Sequence, residues 1–176
     1  MKNTIRYAIM ALWNHGLCHL PSFIVRHFLL KTLFRARLGK CTIHRGVKIF
    51  APWKLVVGDG SNIQYRSFLD CRGGLEIGQD VDIALMVTII TQDHDVRDQN
   101  YLTRSRPVTI SDGAVVGSKA LLLPGCSMAK NSVLGAGAVL ASSIPENMIY
   151  VGNPAKEIGE RTAGMNYKCY YRRPFH

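Results

Sequence analysis

The sequence predicts an all-β solenoid, and three observations predict it. Aliphatic residues recur at a six-residue step, as Ile110, Val116, Leu122, Met128, Leu134 and Leu140, and upstream as Val57, Ile63, Leu69 and Ile77, Ile83, Ile89. Neither the 3.6-residue period of a helix nor the period of two of a strand sustains that step. Short straight segments that each send one side chain into a central stack do. Secondly, the aliphatic-Gly pairs Val116-Gly117 and Leu134-Gly135 stand eighteen residues apart, the length of a coil with three six-residue sides. Thirdly, the repeat departs from its step in two places. Val57-Gly58 to Ile77-Gly78 is twenty residues, with Gly73-Gly74 supplying the extra turn. Ile77 to Val116 is thirty-nine, read as two coils plus three residues, and the surplus falls in Thr91-Gln92-Asp93-His94-Asp95.

The elements then follow in chain order. Residues 1–40 form a basic amphipathic helical segment, in which Pro21 separates an apolar run around residues 5–12 from a second one containing Phe23-Ile24-Val25 and Phe28-Leu29-Leu30. Neither run reaches the roughly 20 apolar residues of a membrane-spanning helix, and no secretory cleavage pattern follows them. Ten Lys and Arg precede Asp59, the first acidic residue, leaving twelve basic against twelve acidic residues afterwards. The whole net charge of +10 therefore belongs to the first third of the chain. A helix pair packed on the scaffold accounts for the segment, and so does a peripheral element on an anionic membrane surface. No nucleic-acid-binding motif accompanies the charge. Residues 41–154 form the six-residue-repeat solenoid, interrupted by a polar loop at 91–107. Residues 155–176 are a tail in which Tyr167, Tyr170, Tyr171 and Phe175 interleave with Lys168, Arg172 and Arg173, read as a cap over the end of the core.

The five cysteines are widely spaced, with no CxxC pair. That pattern argues against a disulfide framework or a zinc knuckle and suits a reducing cytoplasm. No metal is predicted. Of six histidines, only His44 and His94 fall in the solenoid. His44 sits beside Ile43 and Arg45 and reads as structural. His94 lies in the polar interruption between Asp93 and Asp95, carboxylates that could orient an imidazole and raise its basicity.

The repeat, the loop Thr91-Gln92-Asp93-His94-Asp95 and the exit Gly152-Asn153-Pro154-Ala155-Lys156 together resemble the hexapeptide-repeat O-acetyltransferases of the maltose/galactoside acetyltransferase type. Leu69-Asp70-Cys71-Arg72-Gly73-Gly74 and the tail look closer to members that modify bacterial surface sugars: O-antigen, capsule and colanic acid. The resemblance implies a left-handed parallel β-helix and a homotrimer with active sites between subunits. It implies acetyl-CoA as co-substrate and a sugar or glycan acceptor. It places the general base on His94 and an acceptor-side acid on Asp70. Cofactor contacts fall on Ser118, Ala136 and Lys156. The chain lacks a Thr-Lys before Ile144-Pro145, and Gly159 replaces a second basic residue, so Lys119, Lys130 or Arg161 is a candidate to complete the cofactor site. The HxxxxH ligand pair of the γ-class carbonic anhydrases is absent. N-acetylation of an amino sugar or nucleotide sugar is the alternative on the same scaffold, and a non-catalytic structural solenoid is the second.

Overall fold

The structure is a computed structural model that describes residues 2–162, 168 and 169. Short parallel strands stack into three sheets that form the faces of a prism. One face (sheet A) runs from Arg37–Leu38 through Leu55–Val57, Leu75–Ile77, Val108–Ile110 and Ser127–Met128 to Ser143–Ile144. A second (sheet B) runs from Thr42–Ile43 to Met148–Val151, where Lys156–Glu160 adds an antiparallel edge. The third (sheet C) holds Lys48–Phe50, Phe68–Asp70, Thr88–Ile89, Leu121–Leu122 and Val139–Leu140.

The ladder residues are this prism's interior. Ile63, Ile83, Val116 and Leu134 follow one another down sheet B, and Leu69, Ile89, Leu122 and Leu140 down sheet C, each at 0% exposure. Truncating one such stacked Ile or Leu to Ala costs about 2–5 kcal/mol in a close-packed interior. The corners are as tight. A Cβ on Gly117 would meet the backbone nitrogen of Ala136 on the next coil at 2.4 Å, so only hydrogen fits there.

The strand register corrects one expectation. Ile77 pairs with Ile110, not with Val116. Thirty-three residues separate that pair, against eighteen from Ile110 to Met128, so a single coil carries fifteen extra residues. The expectation failed because Ile77-Gly78 closes a strand of sheet A and Val116-Gly117 a strand of sheet B. Both carry glycine because both corners bring coils into close contact. The first coil has its own insertion, the short 3-10 turn Pro52–Lys54.

Two helices, α1 (Lys2–His15) and α2 (Phe23–Thr32), close the N-terminal end. Asn14 of α1 reproduces a missing strand: its side-chain amide donates to the carbonyl oxygen of Ile49 at 3.1 Å and its oxygen accepts from the Ile49 N–H at 2.8 Å. Trp13 donates to the carbonyl of Val47, and Arg26 of α2 to that of Ile43. Backbone groups of the first coil, with no strand before them, thereby find partners. Trp13, Leu30 and Phe34 join the core. The opposite faces leave Leu12, Ile24 and Phe28 exposed. Of the tail, the aromatic and arginine residues proposed as a cap lie outside the described residues.

Candidate active site

The fifteen-residue insertion leaves the corner between sheets C and A as a two-stranded antiparallel hairpin, Gln92–His94 against Thr103–Ser105. Thr91, fully buried at its base, ties it to the coil above. Its hydroxyl donates to the carbonyl of Asp70 and accepts from the N–H of Gly73, both at 2.7 Å. Asp70 and the His94 hairpin thus share one corner on adjacent coils.

Alternation along the hairpin sorts its side chains. Asp93 lies opposite Arg104, and His94 opposite Thr103. Arg104 grips Asp93 with Nε and Nη2, at 3.1 and 3.0 Å, and reaches Asp95 at 3.3 Å, while Arg106 adds a 2.8 Å contact to Asp93. The Arg104 hydrogen bond above all, helped by Arg106, holds the Asp93 carboxyl below its usual range. The expectation that these acids orient the imidazole is therefore corrected, because they project from the other face and neutralise the arginines. What orients His94 is backbone: its Nδ1 lies 2.8 Å from the carbonyl oxygen of Tyr101. A carbonyl only accepts, so Nδ1 carries the hydrogen and Nε2 keeps its lone pair whenever the ring is neutral. The ring also stacks on Tyr101, centroids 4.4 Å apart and planes within 3°. His94 is exposed, and so are Val96, Tyr101 and Leu102 around it.

Asp70 is 1% exposed and bound by Arg72 through Nε at 2.8 Å, Nη2 at 3.0 Å and the backbone N–H at 3.1 Å. The pair raises the Arg72 guanidinium above its ordinary pKa, chiefly through the hydrogen bond to Asp70. The residue presented to solvent at this corner is Arg72, with Asp70 behind it.

Ser118 and Ala136 stand at a different corner, between sheets B and C. They are successive in register, with the N–H of Gly137 donating to the Ser118 carbonyl at 2.9 Å. The turn before Lys156 joins the same row, since the N–H of Val139 donates to Gly152 and that of Ala155 to Val139. Lys119 belongs to this edge. Arg161 does not, because its Nη1 donates to the carbonyls of Gly113 and Asn131 at the corner between sheets A and B. A single chain therefore places the His94 hairpin and Asp70 at one corner, with no described contact between their side chains, and Ser118 and Ala136 at another, a six-residue side of roughly 20 Å away.

Other chemistries lack their parts. His44 is buried, its Nε2 2.9 Å from the Asn62 side-chain oxygen. All five thiols are buried, and burial pushes Cys41 up to about 12 and Cys126 and Cys169 up to about 11, so none supplies a thiolate near neutral pH. Among the described residues no group of three or more His, Cys, Asp or Glu is placed to hold a metal ion.

No family sequence model matches the chain. Over 137 residues it is 33% identical to the protein of Escherichia coli named colanic acid biosynthesis acetyltransferase WcaF, covering 77% of this chain and 75% of that one. The chain belongs to the hexapeptide-repeat acetyltransferases. A galactoside O-acetyltransferase of E. coli is 30% identical over 134 residues, covering 73% of this chain and 60% of that protein. Among solved structures, the hexapeptide-repeat acetyltransferase of Vibrio cholerae complexed with acetyl-CoA superposes with a TM-score of 0.79 at 19% identity, over 90% of this chain and 86% of that one. A galactoside acetyltransferase in complex with coenzyme A gives 0.69 at 24%, over 96% and 88%. Membership in this acetyltransferase family sets aside the non-catalytic solenoid. Sequence reasoning missed Tyr101, Arg104 and Arg106. Their signal was the spacing of Asp93 from an Arg-x-Arg pair, legible only once a hairpin places them opposite one another.

Proposed function

We propose that the protein transfers acetyl from acetyl-CoA to a hydroxyl of a surface-polysaccharide or lipid-linked sugar, in the cytoplasm, with His94 as general base and no covalent intermediate. The observation that carries this reading is the Nδ1 contact of His94 with the Tyr101 carbonyl, which leaves an exposed Nε2 free to accept a proton. A sugar hydroxyl is almost wholly un-ionised at neutral pH, so its oxygen attacks the thioester carbonyl as Nε2 takes the proton. The tetrahedral oxyanion is met by N–H donors. It then collapses with loss of the CoA thiolate, which recovers the proton from the imidazolium. The absence of a thiolate beside His94 supports direct transfer in a ternary complex.

Acetyl-CoA is read as lying along the row of Ser118, Ala136 and Lys156. Because His94 and that row occupy different corners, the complete site is read as shared between neighbouring subunits of a homotrimer, with the exposed apolar tip of Val96 and Leu102 facing the neighbour. Hydroxyl acceptors are favoured over amino sugars by the relatives at 30% identity or more, which include galactoside O-acetyltransferases. Offering matched hydroxyl and amino sugars decides between them. The expected product is an ester, cleaved by hydroxylamine, and a resistant amide would refute O-transfer.

The helical segment is read as a peripheral contact with the inner membrane surface. No helix among the described residues is long and apolar enough to cross a membrane. Ile24 and Phe28 are 70% and 62% exposed on a stretch of chain that is basic throughout. Ile24→Glu with Phe28→Glu is expected to weaken co-sedimentation with phosphatidylglycerol vesicles about tenfold. Unchanged binding, or none by the wild type, would remove this attachment.

A further inference from the structure

The corner that holds Asp70 and the His94 hairpin opens into a cleft of about 310 Å³ between α1 and the first two coils, a size within the range of small-ligand sites. Its walls are chemically uneven. Arg6 of α1 lies over the ring of Trp53, 5.1 Å from its centroid, and Arg72 lies 6.0 Å from that of Phe50. Lys54 Nζ donates to the carbonyl of Arg72 at 2.6 Å. Gln92, whose amide donates to Ser105 Oγ at 2.9 Å, also lines the cleft. Gln92 and His94 are two apart on one strand and face the same way, about 7 Å from each other. A group held in the cleft is therefore one sugar ring's reach from the base.

Three cations line this space, and the one carboxylate ion-paired there among the described residues is Asp70, committed to Arg72. No described ion pair engages Arg6 or Lys54. Arg6, over an aromatic face, and Lys54, bound to a neutral carbonyl, thus carry charge that no described carboxylate offsets, and two such cations at a cleft raise the local concentration of anions. We infer that this cleft is an acceptor subsite for an anionic group, carboxylate or phosphate, carried by the sugar that is acetylated. Arg6 and Lys54 bind the anion, Asp70 is a positioning residue that fixes Arg72, and His94 works on a hydroxyl of the adjoining ring. The inference rests on the sugar-acetyltransferase reading and names its substrate class.

The test uses the full chain with CoA present. The chain has two tryptophans, and Trp13 is 1% exposed, so a ligand-induced change in fluorescence that disappears in Trp53→Phe reports this cleft. The probes are methyl glucoside, methyl glucuronide and glucose 6-phosphate. The charged sugars are expected to bind about tenfold more tightly than the neutral one, a preference that fades with salt. It should also vanish in Arg6→Gln/Lys54→Gln. Preference for the glucuronide assigns a carboxylate, and preference for the phosphate assigns a phosphorylated acceptor. Equal binding of all three, or binding of none, overturns the inference. Acetyl-CoA turnover with each of the three sugars is measured in parallel: turnover without charge preference overturns this inference alone, and turnover with none of them overturns the parent reading as well.

Discussion

Replacing His94 with alanine is expected to lower kcat by about 10²–10⁴-fold, the usual contribution of a positioned general base. KM for acetyl-CoA should stay near its wild-type value. The side chain meets the acceptor proton only as the new bond forms, so its loss removes stabilisation specific to the transition state. Stability should hardly change, because His94 is exposed and its one described hydrogen bond is to a carbonyl at the hairpin's own surface. Steady-state kinetics with a competent hydroxyl acceptor, alongside a thermal melt, checks both statements. A variant with near-normal turnover would move the base elsewhere. The carbonyl that orients the ring belongs to Tyr101, so substituting that side chain removes the stacked ring and keeps the hydrogen bond. This separates orientation by backbone from orientation by packing.

The core was legible in the sequence because a solenoid repeats one requirement: a branched aliphatic side chain must point inward once per side. Val57, Ile63, Leu69 and their successors announce it at a fixed step. Leu38, Ile43 and Ile49 continue it towards the N-terminus. They were hidden because the first coil absorbs the Pro52–Lys54 turn and has helices, not strands, before it. The position of the main interruption was legible too, but its length was not. Aliphatic-Gly pairs mark more than one corner, and counting between unlike corners conceals a whole side.

At the site, residue types were readable and directions were not. Asp93 and Asp95 flank His94 in sequence and stand on the other face of its strand, where Arg104 and Arg106 meet them. Asp70 stood out as an acid at a turn, yet its carboxylate is occupied by Arg72, two residues away. The cleft beside it draws on α1, the Pro52–Lys54 turn and the hairpin, three parts of the chain that share no motif. Such a juxtaposition exists only after folding.

The second large effect concerns how the two corners meet. His94 stands between sheets C and A, and the row of Ser118 and Ala136 between sheets B and C. In the proposed ring of three subunits, the hairpin of one copy is read as meeting the row of the next. His94→Ala removes the base and leaves the row intact, whereas Ala136→Trp fills the exposed row and leaves the base. Each variant alone should be nearly inactive. Co-expressed in equal amounts under two affinity tags, they should assemble mixed trimers in which about one site in three pairs an intact His94 with an intact row, so total activity recovers to about a quarter of wild type. Acetyl-CoA turnover by doubly tagged trimers is the decisive measurement. Recovery of these doubly tagged trimers to about a third of wild type, one intact site in each, would establish a site shared between neighbours, and mixed trimers as inactive as either parent would place the whole reaction within one chain.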